Sequence, residues 1–87
     1  MYQLQFKESF LKALDKLGKR DASLKDKLWS TVEKLAERPR PVGAKKLSGE
    51  DNIWRVRVGD YRILYTIDDR KRLVILAAVG PRGSVYR

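Results

Sequence analysis

The sequence predicts an α+β domain in which two helices pack on one face of an antiparallel sheet. Apolar residues recur at helical spacing in the first half of the chain and alternate with polar residues in the second half. Turn-forming residues separate the alternating segments. The chain has 87 residues, enough for one domain and too few for two. We therefore expect a single domain over residues 1–87, with the order β-α-α-β-β-β and a sheet of three to four antiparallel strands.

The N-terminal half predicts a short strand and a helical hairpin. Residues 2–6 alternate with period two, and from Glu8 the apolar residues fall on one helical face until Gly18, a plausible stop. A second helix is expected near Ser23, where the sequence SLKD resembles a capping box. It should end at the RPRP segment that begins at Arg38, because a proline ring cannot continue a helix. The short link between the helices favours an antiparallel pair.

The C-terminal half predicts three strands. They cover residues 53–58, 61–67 and 73–79. Gly59-Asp60 suits a two-residue hairpin turn, because glycine supplies the positive φ that such a turn needs. Residues 42–52, which include Lys45 and Lys46, read as a loop.

Charge and composition narrow the function classes. The chain carries 20 Lys and Arg against 11 Asp and Glu, a formal net charge of +9, so its surface attracts polyanions, with nucleic acid the first candidate. It contains neither Cys nor His, which excludes thiolate nucleophiles and removes the usual general base. Any acid–base chemistry then falls to Tyr, Lys, Arg, Asp or Glu. An apolar run long enough to span a bilayer and an apolar signal region are both lacking, so we expect a cytoplasmic protein without a membrane partner.

The stretch WRVRVGDYRILY, residues 54–65, places several arginines on one face of a hairpin. If Gly59 and Asp60 form the turn, Val58 lies opposite Tyr61 and Arg57 lies opposite Arg62. The side that faces away from the helices then carries Arg55, Arg57, Arg62 and Leu64. Like charges at opposed positions destabilise a sheet. A three-residue loop would break this register, so the face depends on the turn.

Two interpretations of this arginine face are open. Arginines can simply occupy a solvated face. Three charges of one sign, with no acid between residues 53 and 58, favour instead a face that binds an anionic ligand. Arginine holds phosphate through a planar, bidentate fork and stays charged at any physiological pH. An open sheet face of this kind suits the backbone of RNA or DNA. Trp29 and Trp54 are expected in the core.

Three segments, KLSG, WRVRVGDYRILY and the C-terminal VGPRGSVYR, follow a predicted helical hairpin. In this order and spacing, the chain resembles the RelE branch of the RelE/ParE toxin superfamily, over nearly its whole length. The resemblance implies a RelE-like, microbial ribonuclease-type fold and the toxin of a type II toxin–antitoxin module. RelE-like members cut mRNA in the ribosomal A site, whereas ParE-like members inhibit DNA gyrase.

The resemblance also implies a set of catalytic residues. They are Arg55, Arg57, Arg62, Arg82 and Tyr86. Some relatives carry lysine at the first two positions, and many carry histidine where this chain has Pro81. Lys45 lies in the region where some relatives use a carboxylate as base. We expect Lys45 and Lys46 to assist the reaction or to bind ribosomal RNA.

The reaction implied is an attack of the ribose 2′-hydroxyl on the adjacent phosphate, which leaves a 2′,3′-cyclic phosphate and a 5′-hydroxyl. It needs no metal and no cofactor. Tyr86 is the candidate general base, since nearby cations favour the tyrosinate form. Three arginines, Arg55, Arg57 and Arg62, should stabilise charge on the phosphate oxygens. Arg82 is expected to stabilise the leaving oxygen.

The partners implied are a cognate antitoxin, the ribosome with its mRNA, and operator DNA only through the antitoxin. An acidic, partly disordered antitoxin would either neutralise the arginine face or wrap the helical hairpin, and the sequence leaves both open. Two other functions remain open as well. One is a ParE-like gyrase inhibitor without chemistry, and the other is a basic RNA-binding module that cleaves nothing.

Overall fold

Two helices cover one face of a mixed sheet in the computed structural model, which describes residues 1–47 and 52–81. The elements are β1 (Gln3–Phe6), α1 (Glu8–Arg20), α2 (Ala22–Glu37), β2 (Lys45–Lys46), β3 (Ile53–Val58), β4 (Tyr61–Asp68) and β5 (Leu73–Pro81). Within the described residues the sheet has five strands in the order β1-β5-β4-β3-β2. The predicted α+β class is confirmed. Neither helix combines the length and the apolar content that crossing a bilayer requires, in the part of the chain described.

The sheet differs from the prediction at both edges. β1 joins it in parallel to β5, with Gln3 opposite Leu73 and Phe6 opposite Leu76, so the sheet is mixed and not purely antiparallel. β2 occupies a segment that the sequence predicted as loop, and both of its residues are exposed. Neither pairing has a local signal, because the partner of β1 lies far along the chain and β2 is too short to show a period.

The helical hairpin forms as predicted, but its internal boundaries differ. α1 continues beyond Gly18 to Arg20, because a single glycine weakens a helix without ending it. α2 is capped by Asp21, whose carboxylate accepts a hydrogen bond from the Leu24 N–H at 3.0 Å, and not by Ser23. A Cβ at position 18 would collide with the Lys25 side chain, so Gly18 leaves room where the two helices meet.

The core lies between the hairpin and one face of the sheet. Its buried members are Phe10, Leu14, Leu17, Leu28, Val32, Leu35, Val56, Ile63, Tyr65, Ile67, Val74 and Leu76. The apolar side of residues 54–65 therefore meets the helices, as predicted. Trp54 packs against the edge of this core, but Trp29 does not belong to it. Its side chain is 38% exposed and stacks on Phe6 with a centroid distance of 5.4 Å, so that prediction was wrong.

A bulge in the β4–β5 pairing keeps apolar residues of β5 on the core side. Leu64 pairs with Ala78 whereas Tyr65 pairs with Leu76, which leaves Ala77 as the extra residue. Leu76 and Val79 are three positions apart, so a regular strand would point them to opposite faces. The bulge places both against the helices and turns Ala78 and Gly80 to the other face.

One buried hydrogen bond fixes the chain just after α2. The Tyr65 hydroxyl donates to the Pro39 carbonyl at 2.7 Å, and the Tyr65 side chain is fully buried. Burial raises the pKa of Tyr65 to about 12, because the tyrosinate would lose its hydration. This bond attaches the start of the α2–β2 connection to the middle of the sheet.

Tyr65→Phe should lower the free energy of unfolding at pH 7 by about 1 kcal/mol, because it leaves the buried Pro39 carbonyl without this donor. The raised pKa adds a pH dependence. A neutral Tyr65 favours the folded state fully below pH 10, its ordinary pKa, and this contribution is lost as the pH approaches the folded value of about 12. Urea denaturation of both proteins from pH 7 to 11.5 measures the effect. The advantage of wild type over the variant should shrink above pH 10 and reverse by about pH 11.5, because a pKa raised from 10 to about 12 is worth more than about 1 kcal/mol. Tyr61→Phe controls for general alkaline effects. A difference that stays constant with pH would contradict the assignment.

Candidate nucleic-acid interface

The β3–β4 turn fixes which side chains share a face. Gly59 has a φ of 60°, and Val58 pairs with Tyr61, so Gly59 and Asp60 form the predicted two-residue turn. Arg57 lies directly opposite Arg62, as the sequence predicted. All three hairpin arginines therefore lie on the sheet face that the helices leave uncovered.

A lysine joins this face from the edge strand. Lys45 pairs with Arg55, so the two residues share the face. Lys46 pairs with Trp54 and lies on the helix side of the sheet instead. We call Lys45, Arg55, Arg57 and Arg62 the cationic cluster. The sequence did not distinguish the two lysines. A two-residue strand in a segment predicted as loop is too short to show on which face each side chain lies.

Part of the cationic cluster lines a groove of about 300 Å³ between the α2–β2 connection and β3. Its lining residues are Val42, Gly43, Lys45, Arg55, Val56 and Arg57. Gly43 has a φ of 94°, a conformation that favours glycine, and a Cβ there would meet open space. The Ala44 N–H donates to the Pro41 carbonyl at 3.0 Å. This tight turn brings Lys45 back alongside Arg55.

Burial within the cluster is uneven. Arg55 and Arg62 are only 7% and 8% exposed, whereas Arg57 and Lys45 are exposed. Of the two interpretations of the arginine face, simple solvation therefore does not describe Arg55 and Arg62. Buried charge is screened less by water, so an anion on this floor is attracted more strongly than it would be on an open surface. Exposed Arg57 and Lys45 form the rim through which an anion would approach.

Small residues flank the cluster on the other side. Arg62 pairs with Gly80 and Leu64 pairs with Ala78, so β5 presents no large side chain next to Arg62. The bulge at Ala77 creates this arrangement, and the sequence pattern alone did not reveal it. Arg82 and Tyr86, the other two predicted catalytic residues, lie outside the described residues. The described part of β5 ends at Pro81, which pairs with Tyr61.

Two described tyrosines have a shifted pKa, and both shifts are upward. Burial raises the pKa of Tyr65 to about 12. The pKa of Tyr2 is raised chiefly by the hydrogen bond that its hydroxyl donates to Asp69. Neither shift favours a general base at neutral pH. The role of base for Tyr86 therefore stays a prediction.

A second groove, of about 630 Å³, runs between α1 and α2. Its apolar floor includes Leu11 and Trp29, which are 44% and 38% exposed. Charges of both signs surround them, among them Glu8, Lys12 and Asp26. This groove resembles a site for an amphipathic segment more than a site for a polyanion.

Comparison with known proteins places the chain among toxins. The sequence matches the family described as ParE toxin of type II toxin–antitoxin system, parDE, over residues 4–86. It is 32% identical over 89 aligned positions to the mRNA interferase toxin RelE of Escherichia coli K12, covering 98% of this chain and 90% of that protein.

Solved structures show the same fold. The toxin in the intact Escherichia coli RelBE toxin–antitoxin complex superposes with a TM-score of 0.77 at 29% identity, covering 93% of this chain and 96% of that chain. The archaeal RelE–RelB complex from Pyrococcus horikoshii OT3 gives a TM-score of 0.81 at 24% identity, covering 95% and 97%.

Inorganic phosphate should stabilise the protein through the cationic cluster. A ligand that binds only the folded state adds about 1.4 kcal/mol at ten times its dissociation constant. In Arg57→Gln the stabilisation should fall, because a rim cation is lost. Without phosphate, the free energy of unfolding of the same variant should rise by up to about 1 kcal/mol, because the like charge opposite Arg62 is removed.

Thermal unfolding against phosphate concentration measures both effects. Lys71→Gln is the matched control, since it removes one exposed positive charge from the β4–β5 turn. An equal response to phosphate in Arg57→Gln and in wild type would exclude Arg57 from the anion site.

Proposed function

Because the chain belongs to the RelE/ParE superfamily of type II toxins, as its sequence predicted, we propose that this toxin cleaves mRNA in the A site of the ribosome. The observation that carries the proposal is the cationic cluster. It gathers Arg55, Arg57 and Arg62 on one face, with two of the three buried, at positions where the RelE pattern has its basic residues. The relative named mRNA interferase toxin RelE supports this branch.

The reaction is a transesterification within the RNA. The ribose 2′-oxygen forms a bond to the adjacent phosphorus as its proton passes to a base, and the bond from phosphorus to the 5′-oxygen of the next nucleotide breaks. That oxygen takes up a proton. The products are a 2′,3′-cyclic phosphate and a 5′-hydroxyl. The nucleophile belongs to the substrate, so the protein must position the phosphate and stabilise charge upon it.

The cluster suits this task because its donors differ in accessibility. Arg57 and Lys45 would attract the phosphate at the rim, whereas Arg55 and Arg62, both largely buried, would act from the floor. Donors fixed in advance cost little reorganisation as charge develops in the transition state, and one such donor is worth about 2.7–4 kcal/mol. Lys46 lies on the other face, so a contact of Lys46 with RNA would come from outside this groove.

Tyr86 and Arg82 complete the proposed machinery. Tyr86 would take the 2′-hydroxyl proton, since nearby cations would favour its ionised form. Arg82 would stabilise the leaving 5′-oxygen. It follows Pro81 in the sequence, and Pro81 comes directly after Gly80, the partner of Arg62. A histidine-free site should show no inflection near pH 6.5 in its rate profile.

Tyr86→Phe and Arg82→Ala should each lower the rate of mRNA cleavage by about 10²-fold or more, the usual effect of losing an acid–base group or a charge-stabilising donor. Primer extension on a defined mRNA, with purified ribosomes present and absent, measures cleavage and its dependence on the ribosome. Lys71→Gln is the control, because its exposed charge lies in the β4–β5 turn. Full activity in both variants would remove these residues from the mechanism. Cleavage that is equal without ribosomes would remove the A site from the proposal.

One observation favours a second candidate, a gyrase inhibitor. The matching family is described by its ParE members. Induction in cells separates the two functions. The nuclease produces cuts at regular codon positions in mRNA, whereas gyrase poisoning produces DNA damage with intact mRNA.

A protein antitoxin is the proposed partner, since the Escherichia coli relative was solved as a toxin–antitoxin complex. The charge of the cationic cluster suits an acidic segment of such a partner, and the groove between α1 and α2 suits an apolar helix. Operator DNA would be reached only through the antitoxin. Loss of antitoxin binding in Arg57→Gln, with binding retained in Trp29→Ser, would assign the main contact to the cluster.

A further inference from the structure

A group of three side chains joins three distant parts of the chain. Arg40 donates from Nη1 and Nη2 to the two carboxylate oxygens of Asp69, at 3.1 and 2.7 Å. The Tyr2 hydroxyl donates to Asp69 Oδ1 at 2.6 Å. We call Tyr2, Arg40 and Asp69 the clasp. It attaches the α2–β2 connection to the β4–β5 turn and to the segment that precedes β1.

Arg40 also reaches β3. Its Cζ lies 5.1 Å from the centroid of the Trp54 ring, in the range of a cation–π contact. Trp54 Nε1 donates to Asn52 Oδ1 at 3.0 Å, and the Asn52 amide donates to the Ile67 carbonyl. Arg40 therefore lies between the β4–β5 turn and the strand residue that immediately precedes Arg55.

Among the described residues, the segment that carries Lys45 has few other attachments. β2 has only two residues, both exposed, and so short a pairing contributes little by itself. The backbone contacts at its ends are the Ala44–Pro41 turn and the bond from the Leu47 N–H to the Ile53 carbonyl at 2.8 Å. The firm anchors of this segment lie at its start, at Pro39 and at Arg40.

From these contacts we propose that Arg40 and Asp69 are positioning residues for the cationic groove. They hold the α2–β2 connection so that Lys45 stays opposite Arg55, and they thereby raise the affinity for a phosphate backbone that they do not touch. The part of the inference that concerns RNA rests on the proposed function. The part that concerns the placement of β2 does not.

For one substitution, the change in net charge and the loss of positioning predict opposite effects on RNA binding. Asp69→Asn removes a negative charge, so general electrostatics would strengthen RNA binding. Positioning predicts weaker binding, because the fork with Arg40 is lost. Glu8→Gln is the matched control, since it makes the same charge change in an exposed pair with Lys12 at 3.0 Å.

The binding experiment uses a single-stranded RNA that is 2′-O-methylated, so that it cannot be cleaved. Asp69→Asn and Arg40→Ala should weaken binding by up to about tenfold, the scale of one charge-assisted hydrogen bond, and lower the salt slope by about 0.7. Lys45→Ala should weaken binding and lower the salt slope to the same extent. Combining Asp69→Asn with Lys45→Ala should weaken binding no further. Glu8→Gln should leave the slope unchanged. If Asp69→Asn binds as Glu8→Gln does, or if its effect adds to that of Lys45→Ala, the proposal is wrong.

Native-state hydrogen exchange tests the placement of β2 without RNA. In Asp69→Asn the Leu47 amide should lose protection while the amides of β4 keep theirs. Arg40→Lys, which retains the charge but not the fork, gives the same readout should Asp69→Asn fold poorly. Unchanged exchange at Leu47 overturns the positioning role. Faster exchange at Leu47 in a protein whose wild type binds no free RNA would support the positioning of β2 and overturn only the part of the inference that concerns RNA. The proposed function itself would be overturned by intact mRNA in the cleavage assay with ribosomes.

Discussion

The register of the β3–β4 hairpin is the constraint on which the rest of the structure depends. A two-residue turn at Gly59-Asp60 commits every side chain of both strands to one face or the other, because the strand period is two. One face becomes apolar enough to bury the helical hairpin. The other must then accept Arg57 opposite Arg62. A shift of one residue would exchange the faces and expose the core, so the apolar face holds the arginines in place.

The opposed arginines of the charged face oppose folding, and a bound anion would reduce this effect. Like charges oppose one another across the strands, and Arg55 and Arg62 are largely buried. In a chain of 87 residues the core is thin, so such a cost is appreciable. Binding of phosphate, or of an acidic partner, would stabilise the folded state. On the proposed function, the same coupling would let RNA and an acidic segment of an antitoxin each stabilise this small toxin.

Elements at the edges of the sheet give the face its specific shape. The bulge at Ala77 keeps Leu76 and Val79 in the core while it turns Gly80 towards Arg62. Gly43 allows the turn that returns Lys45 to Arg55, and the clasp fixes the start of that connection through Arg40 and Asp69. Asp69 has its pKa lowered to about 2 by the hydrogen bond from Arg40, so this ion pair persists at any physiological pH.

Local patterns in the sequence determined the two helices, the hairpin register and the side of the sheet on which Arg55, Arg57 and Arg62 lie. These features depend on residues close in the chain, whose spacing reports period and turn geometry directly. Only the tertiary structure decided that β1 pairs in parallel with β5, that Trp29 lies outside the core, and that Arg55 and Arg62 are buried. Only the tertiary structure places Lys45 and Lys46 on opposite faces of the sheet and brings Arg40 into contact with Asp69. Those outcomes depend on contacts between residues far apart in the chain, which no local period encodes.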